Sequence, residues 1–286
     1  MMSYDMPIAV CPEFHVLYED DGVLVVDKAA PLLTHPTGEK NEPTLWHGLH
    51  ELLAYEVATG GQVSLINRLD RETSGITLVA KTAETARELG KAMQARLLHK
   101  EYFAVVQGSP MWNSACCAEP ILRMEEVAET RVHVRQCCHP AGKSCRTCFE
   151  VISRHGHRAL LRCRPHTGRM HQIRVHAAYM GYPLIGDKIY GGDESCYLDF
   201  IATGWTSDLA RRLILPRHAL HACRLSFPWQ GRTITVESPL PQDMAALLPS
   251  HVSQSLGAEL GKLEFVGQLA SQASGIYSPR QWATYP

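Results

Sequence analysis

The sequence lacks any segment that could cross a membrane as a helix, because none of its uninterrupted apolar runs approaches the roughly 18 residues that such a helix needs. It also lacks a typical secretion signal, since its first residues include Asp5 and Glu13 and no basic stretch followed by an apolar one. Repeats, heptads, phosphate-binding loops and dinucleotide-binding motifs are missing as well. These absences predict a cytoplasmic, globular protein with no membrane anchor, and they give no support to an enzyme driven by a nucleotide or redox cofactor.

Ten cysteines would allow several disulfides, but without a secretion signal we expect reduced thiols. Cys145 and Cys148 have the Cys-x2-Cys spacing that can hold zinc or form a redox couple. No second pair at a suitable spacing follows, and the flanking residues are typical of a strand. We therefore predict no metal site, and a structural zinc at this pair is kept as an alternative.

Acidic residues are absent from residues 151–186, although the whole chain has a formal net charge of only −1. A segment whose charges share one sign attracts a polyanion, because neutralising phosphates releases counterions. A solvated basic face is the alternative, and charge alone does not separate the two. The basic side chains of this segment are Arg154, His155, His157, Arg158, Arg162, Arg164, His166, Arg169, His171, Arg174 and His176.

The order of the predicted elements indicates an α+β fold, because strands and helices alternate irregularly and do not form a βαβ series. Each strand is predicted from a short run of β-branched and aromatic residues, and each helix from apolar residues spaced three and four apart. Strands are predicted at 16–18, 23–26, 76–80, 101–107, 147–153, 159–163, 219–227 and 233–237, and helices at 44–55, after Thr82 and at 169–180.

Asp70 lies in a short, highly charged segment that is unlike a regular helix or strand. Arg68, Asp70, Arg71 and Glu72 place four charges within five positions, shortly before Gly75. Loops held by rigid elements often present catalytic groups to a cleft. The alternative is a surface loop whose charges pair with one another, and these residues alone leave both interpretations open.

Arg174 is expected at the margin of the apolar face of the helix at 169–180. A partly buried guanidinium needs an anionic partner, because a desolvated charge left unpaired is costly. Asp70 suits this role chemically, since a nearby arginine lowers the pKa of a carboxyl group and keeps it ionised, as a nucleophile must be. Another acid remains an alternative partner. The predicted apolar face consists of Met170, Ile173, Ala177 and Met180, with Arg169, Gln172 and His176 pointing away.

Two blocks of this sequence resemble one known family, and they occur in the family's order. Residues 67–75, Asn-Arg-Leu-Asp-Arg-Glu-Thr-Ser-Gly, resemble the His-Arg-Leu-Asp-x-x-Thr-Ser-Gly signature of the RluA family of pseudouridine synthases. Residues 167–176, Thr-Gly-Arg-Met-His-Gln-Ile-Arg-Val-His, are similar to the family's Thr-Gly-Arg-x-His-Gln-Ile-Arg-x-His block. Weaker matches extend the resemblance over residues 14–248 or so.

The resemblance implies the pseudouridine synthase catalytic fold, an α+β fold with a central mixed, mostly antiparallel sheet, flanked by helices and loops and crossed by an active-site cleft. It implies an isomerase that converts specific uridines of ribosomal or transfer RNA to pseudouridine. No cofactor is expected, because the reaction breaks a glycosidic bond and re-forms it at carbon without net oxidation. We expect a monomer with a catalytic domain at 14–248, an N-terminal extension at 1–13, and a peripheral or partly disordered tail at 249–286.

The resemblance also implies roles for individual side chains. Asp70 would be the nucleophile, attacking either the base or the ribose C1′, and Arg174 would pair with it. Tyr102 would lie against the flipped uracil, although core packing is its ordinary role. Arg68 would enter the RNA helix where the target base has left, or contact a phosphate instead. The residues expected to contact the substrate or the RNA are Arg68, Arg169, His171 and Leu220.

Three departures from the family pattern bear on these expectations. Asn67 replaces the usual histidine, Lys28-Ala29-Ala30-Pro31 replaces Lys-Pro-Ala-Gly, and residues 1–13 leave no room for an N-terminal S4 module. The principal alternative is therefore an RNA-binding protein of this fold without turnover, which only Asn67 favours. A glycoside hydrolase is more remote, since it would need a second carboxylate, for which Glu72 and Asp187 are candidates.

Overall fold

The structure, a computed structural model, describes residues 14–36, 42–250 and 252. The strands are β1 (Phe14–Glu19), β2 (Val23–Lys28), β3 (Ser64–Leu65), β4 (Ser74–Ala80), β5 (His99–Gln107), β6 (Ser114–Cys117), β7 (Ile121–Arg123), β8 (Gln136–Cys138), β9 (Thr147–His155), β10 (Arg158–Pro165), β11 (Leu220–Trp229) and β12 (Arg232–Glu237). The helices are α1 (Leu45–Leu52), α2 (Ala54–Ala58), α3 (Ala83–Gln94), α4 (Gln172–Tyr179), α5 (Glu194–Thr203), α6 (Ser207–Leu213) and α7 (Gln242–Ala245), and a 3₁₀ turn spans Met124–Glu126.

Ten of the strands form one sheet, in the order β1-β2-β4-β11-β5-β10-β9-β6, with β12 beside β11 and β3 beside β4. The pair β4 and β11 is parallel, whereas the other pairs of this sheet are antiparallel. Strands β7 and β8 form a separate two-stranded sheet. The predicted α+β fold with a mixed, mostly antiparallel sheet is therefore confirmed.

Both faces of the sheet are covered, as β2 illustrates. Val25 belongs to a buried cluster with Leu89 of α3, whereas Val26 belongs to another with Leu49 of α1. Because successive side chains of a strand point to opposite faces, a strand covered on both sides is apolar on both faces, as residues 23–26 of β2 are. Helix α3 begins at Thr82, whose hydroxyl accepts from the Thr85 N–H at 3.1 Å, as the sequence predicted.

Helix α4 packs on the half of the sheet that contains β5 and β10, where Ile173 and Ala177 contact the cluster around Ala104 and Leu161. The helix begins later than predicted, at Gln172, because the preceding residue has a left-handed backbone with φ 57°. It ends where Gly181, with φ 86°, follows as predicted.

The polar residues of α4 do not point away from the core, which corrects the predicted helix faces. Gln172 and His176 are buried, while Met170, assigned to the apolar face, is 43% exposed. Gln172 Nε2 donates to Thr147 Oγ1 at 3.0 Å, and His176 Nδ1 lies 2.9 Å from the same hydroxyl. Strand β9 therefore covers the side of α4 that an amphipathic helix would expose to solvent.

A disulfide joins Cys116 of β6 to Cys148 of β9, so the expectation of reduced thiols throughout is wrong. The two residues lie opposite each other in the antiparallel register, with their Cα atoms 4.0 Å apart. Cys148 is therefore not paired with Cys145, whose thiol instead contacts the carbonyl oxygen of Glu119 at 3.2 Å. Within the described ranges, no group of three or more His, Cys, Asp or Glu side chains could hold a metal ion.

The predicted extension at 1–13 and most of the predicted tail at 249–286 lie outside the described residues, so this division of the chain remains a prediction. Val252, which falls in that tail, is buried in a cluster with Phe103 and Met244. In the part of the chain that the structure covers, no helix has the length and apolar character needed to span a membrane.

Candidate active site

Asp70 opens a tight turn immediately before β4. The Thr73 N–H donates to the Asp70 carbonyl at 3.1 Å and closes the turn, while the Leu32 N–H donates to the Arg71 carbonyl at 2.9 Å. The Thr34 hydroxyl donates to the carbonyl oxygen of Leu69 at 2.7 Å. Hydrogen bonds of the backbone thus fix the segment to its surroundings. The side chain of Asp70 is 30% exposed.

Three of the four charges of this segment, Asp70, Arg71 and Glu72, are paired with other parts of the chain and not with one another. Arg71 lies 3.2 Å from Glu42, and Glu72 lies 2.5 Å from Lys188. The alternative of a self-paired surface loop is therefore not what the structure contains.

The predicted contact between Arg174 and Asp70 is present. Arg174 Nη1 donates to Asp70 Oδ2 at 2.9 Å, and the arginine is 5% exposed. The same guanidinium makes a bidentate pair with Asp187, through Nε at 2.7 Å and Nη2 at 2.8 Å. Sequence reasoning left another acid open as a partner of Arg174, but it did not foresee that Arg174 would bind two carboxylates at once.

Electrostatics keep the Asp70 carboxyl group ionised. Burial raises its pKa, but the interactions with His171, Arg174 and His218 outweigh that effect, and the pKa lies below the usual value. Burial and Arg174 lower the pKa of His171 to about 4. The imidazole is therefore neutral near pH 7, where Arg174 provides the permanent positive charge beside Asp70.

His171 lies beside the carboxylate and is only 10% exposed, with Nε2 4.0 Å from Asp70 Oδ2. Its Nδ1 lies 2.9 Å from the Tyr190 hydroxyl, which accepts from the Gln136 N–H at 2.9 Å. The left-handed backbone of His171 places this ring at the start of α4, next to Asp70. Its predicted place among the RNA-binding residues remains a prediction.

Tyr102 and Leu220 form an apolar wall near Asp70. Both belong to one buried cluster that also contains Leu69, the residue before Asp70. Strand register explains this, because Leu220 pairs with Ala104 and Ala222 pairs with Tyr102 across β5 and β11. Burial, followed by the charge of Asp70, raises the pKa of Tyr102, so its hydroxyl keeps its proton.

Arg68 and Arg169, the two other predicted contacts, are exposed to solvent. Arg169 Nε lies 3.4 Å from the Ser144 carbonyl, so its guanidinium remains at the surface beside the segment that precedes β9. Neither side chain takes part in the buried network around Asp70.

Asn67 is a buried structural residue. Its amide nitrogen donates to the Ile76 carbonyl at 3.1 Å, and its oxygen accepts from the Leu78 N–H at 2.8 Å. The side chain thereby ties the approach to Asp70 to the backbone of β4. The departure from the family pattern lies inside the protein and leaves the carboxylate in place.

The segment at 151–186 is an open basic face only in part. Arg164 contacts Glu101 at 2.8 Å and Glu150 at 3.0 Å, so acids on neighbouring strands offset its charge. Arg154 donates to the Pro110 and Trp112 carbonyls. Arg154, Arg164 and Arg169 remain exposed to solvent, whereas Arg174 and His176 are buried.

Glu72 and Asp187 were the candidates for the second carboxylate of a glycoside hydrolase. Each of them forms an ion pair with a buried cation. Asp187 is fully buried against Arg174, and Glu72 is bound to Lys188. Burial raises the pKa of Asp187, but Arg174 more than offsets it, so the pKa lies well below its usual value. Neither group is free to protonate a leaving group or activate a water, as a hydrolase requires.

Solved pseudouridine synthases share this architecture. Human RNA Pseudouridylate Synthase Domain Containing 1 matches with a TM-score of 0.63 and 22% identity, over 88% of this chain and 98% of that one. Human RNA Pseudouridylate Synthase Domain Containing 4 matches with a TM-score of 0.64 and 22% identity, over 84% and 92% of the two chains. At this identity the likeness establishes the class of fold.

Sequence comparison specifies the family within that class. The profile described as RNA pseudouridylate synthase matches residues 22–179. Ribosomal large subunit pseudouridine synthase D of Nitrosomonas europaea is 38% identical over 242 residues, which make up 82% of this chain and 64% of that protein. The corresponding protein of Xanthomonas campestris is 35% identical over 239 residues, 82% of this chain and 68% of that protein. The chain therefore belongs to the RluA family of RNA pseudouridylate synthases, and it covers about two thirds of the length of these relatives.

Proposed function

We propose that the protein isomerises uridine to pseudouridine in RNA, with Asp70 as the nucleophile and large-subunit ribosomal RNA as the substrate. The observation that carries the proposal is the pair of Asp70 and Arg174 at the 2.9 Å contact, beside the wall formed by Tyr102 and Leu220. The choice of ribosomal RNA over transfer RNA rests on the names of the most similar relatives.

The reaction starts when the target uridine leaves the RNA stack and enters the site beside Asp70. The carboxylate attacks the uracil at C6 or the ribose at C1′, and the N1–C1′ glycosidic bond breaks. The uracil turns and a C5–C1′ bond forms, and Asp70 leaves with its electron pair, from C1′ as that bond forms or from C6 after it has formed. C5 then loses a proton and N1 gains one. The product has the same atoms as the substrate, so the reaction needs no cofactor.

Arg174 prepares Asp70 for this attack in two ways. Its charge keeps the carboxyl group ionised at neutral pH despite burial, and its contact with Oδ2 fixes the orientation of the carboxylate. Tyr102 presents its ring to the flipped uracil, and Leu220 closes the site from β11. These side chains need not titrate to perform those roles.

Exposed residues around the site would hold the RNA. Arg68, two positions before Asp70, is placed to stack in the space that the uridine leaves or to contact a phosphate. Arg169 would contact the backbone, and His171 would adjoin the target nucleotide. We further propose that the protein acts as a monomer in the cytoplasm.

An RNA-binding protein without turnover is the less favoured candidate. Its one supporting feature was Asn67, and that residue bonds to β4 without disturbing the contact between Asp70 and Arg174.

The decisive substitution is Asp70→Ala. We expect it to abolish pseudouridine formation on large-subunit ribosomal RNA while leaving RNA affinity within about threefold of wild type, because the carboxylate makes a covalent bond and no RNA backbone contact. Asp70→Asn is the matched control for shape. Turnover by either variant would refute the assignment of Asp70, and a wild-type protein that binds this RNA without converting any uridine would favour the RNA-binding alternative.

A further inference from the structure

A second buried ion pair lies directly behind the turn that carries Asp70. Lys188 is 3% exposed, and its ammonium group donates to Glu72 Oε1 at 2.5 Å and to the Pro216 carbonyl at 2.6 Å. The same nitrogen lies 4.3 Å from the centre of the Phe200 ring. A lysine so far removed from water is held in place by these partners, because an unpaired buried charge is costly.

Glu72 is fixed at both of its carboxylate oxygens. Lys188 binds Oε1, and the His218 N–H donates to Oε2 at 3.3 Å. The neighbouring Thr73 hydroxyl lies 2.7 Å from His218 Nε2, and Arg217 Nη1 donates to the Glu72 carbonyl at 3.4 Å. The end of the turn opposite Asp70 is thereby bound to the segment that leads into β11.

Arg174 and Lys188, the two cations that hold this turn, are linked because Asp187, the partner of Arg174, directly precedes Lys188 in the chain. Asp187 binds Arg174, which binds Asp70, while Lys188 binds Glu72 directly. The contacts therefore run in a closed circuit from Asp70 through Arg174, Asp187 and Lys188 to Glu72, two positions after Asp70. Residues 187 and 188 thus hold Asp70 through Arg174 and Glu72 directly.

We propose that Lys188 and Glu72 are positioning residues, whose ion pair sets the orientation of the Asp70 carboxylate relative to Arg174. The proposal rests on the proposed function for its kinetic consequence, but its structural consequence is independent of any reaction. If the ion pair only stabilised the fold, breaking it would lower the unfolding temperature and leave the Asp70 carboxylate, and hence kcat per folded molecule, unchanged.

The test compares Glu72→Gln, Lys188→Met and the double variant with wild type. Glutamine keeps the shape of Glu72 but not its charge, and methionine keeps the apolar stem of Lys188 near Phe200. The matched control is Glu237→Gln, which breaks the ion pair with Arg224 between β11 and β12, since Glu237 has the same 17% side-chain exposure as Glu72. Crystal structures give the separation of Asp70 and Arg174, and kinetics at a temperature where each variant is folded give kcat and KM.

We expect both single variants to lengthen the 2.9 Å contact between Asp70 and Arg174 and to lower kcat by about 10- to 100-fold with KM within about threefold, because small displacements of a reacting group are costly. The double variant should be no worse than the worse single variant, since the two residues act through one contact. The control should keep wild-type kcat and geometry.

An unchanged contact between Asp70 and Arg174 in crystals of Glu72→Gln and Lys188→Met would overturn the proposal, as would a kcat equal to that of the control. If wild type converts no uridine but the contact lengthens in both variants, the proposed function fails and the positioning role stands. The crystallographic result thus separates the two failures.

Discussion

Arg174 has two carboxylate partners, and the division of its donors between them explains why Asp70 is held in one orientation. Nε and Nη2 are bound to the fully buried Asp187, which fixes the plane of the guanidinium. Nη1 is then directed toward Asp70. The planar guanidinium group has donors in fixed directions and can therefore orient both carboxylates, whereas the single ammonium group of a lysine cannot.

Removing this guanidinium should change the pH dependence of the reaction. Arg174→Met leaves the partly buried Asp70 without its permanent positive partner, so the pKa of the carboxyl group rises and the acidic limb of kcat moves to higher pH. Arg174→Lys keeps the charge and should leave the limb closer to that of wild type, although kcat falls because the planar guanidinium group is lost. The measurement is kcat against pH from 4 to 8, on variants shown to be folded by circular dichroism. An acidic limb that does not move in Arg174→Met would contradict the electrostatic role.

At the scale of elements, the loop after α4 depends on a glycine that permits two backbones to meet. Gly186 has φ 77°, and a Cβ atom there would lie 1.9 Å from the carbonyl oxygen of Arg217. Asp187 and Lys188 directly follow Gly186 in the sequence, so this close approach fixes the backbone positions from which both side chains extend. Glycine is required here for space as well as for its left-handed backbone.

Gly186→Ala should therefore destabilise the protein more than a left-handed backbone alone explains. Gly231 is a matched control, because it has φ 76° with nothing within 4 Å of its Cβ position. We expect Gly231→Ala to lower the free energy of unfolding by about 1–2 kcal/mol, and Gly186→Ala to exceed that loss because the Arg217 backbone must also move. Denaturant unfolding of both variants checks this. Equal losses of unfolding free energy in Gly186→Ala and Gly231→Ala would show that the close approach to Arg217 adds no cost.

Local sequence patterns predicted several helices and strands, but they did not predict the contacts between these elements. Thr82 as a helix cap and Gly181 as a helix end were predicted correctly, since each acts on its own neighbours in sequence. Gln172 was assigned to a solvent face because an amphipathic pattern presumes one, whereas β9 covers that side of α4. The disulfide of Cys116 and Cys148 follows from the register of two strands, which composition does not reveal.

At the scale of the whole molecule, the site is assembled from parts of the chain far apart in sequence. Asp70 precedes β4, Tyr102 lies on β5 and Leu220 begins β11, and these three strands are neighbours in the sheet because the chain crosses over between them. Helix geometry suggested the pairing of Arg174 with Asp70, and the family resemblance suggested the rest. Asp187 and Lys188 were not foreseen as partners, because nothing in their local sequence distinguishes a buried charge from an exposed one.

The buried histidines around this centre should make the stability of the whole protein depend on pH. Burial lowers the pKa of His171 to about 4 and of His221 to about 3, and it also lowers the pKa of His218. Below about pH 6.5 the unfolded chain binds these protons and the folded protein does not, so stability falls as the pH falls from 6.5 toward 4. Each histidine contributes a slope of about 1.4 kcal/mol per pH unit in that range.

Denaturant unfolding at several pH values measures that slope, and His221→Gln should reduce it by about one histidine's contribution. His157→Gln is the control, because it removes a histidine that is exposed on the turn between β9 and β10. A stability that is constant between pH 6.5 and 4 would contradict the burial of these neutral rings.

The most direct test of the account is a map of pseudouridines in ribosomal RNA from a strain that lacks the gene, complemented with wild type or with Asp70→Asn. The account predicts that one or more uridines of the large-subunit RNA remain unmodified in the deletion, that wild type restores them and that Asp70→Asn does not. Restoration by Asp70→Asn, or a ribosomal RNA whose pseudouridines do not change on deletion, would contradict it.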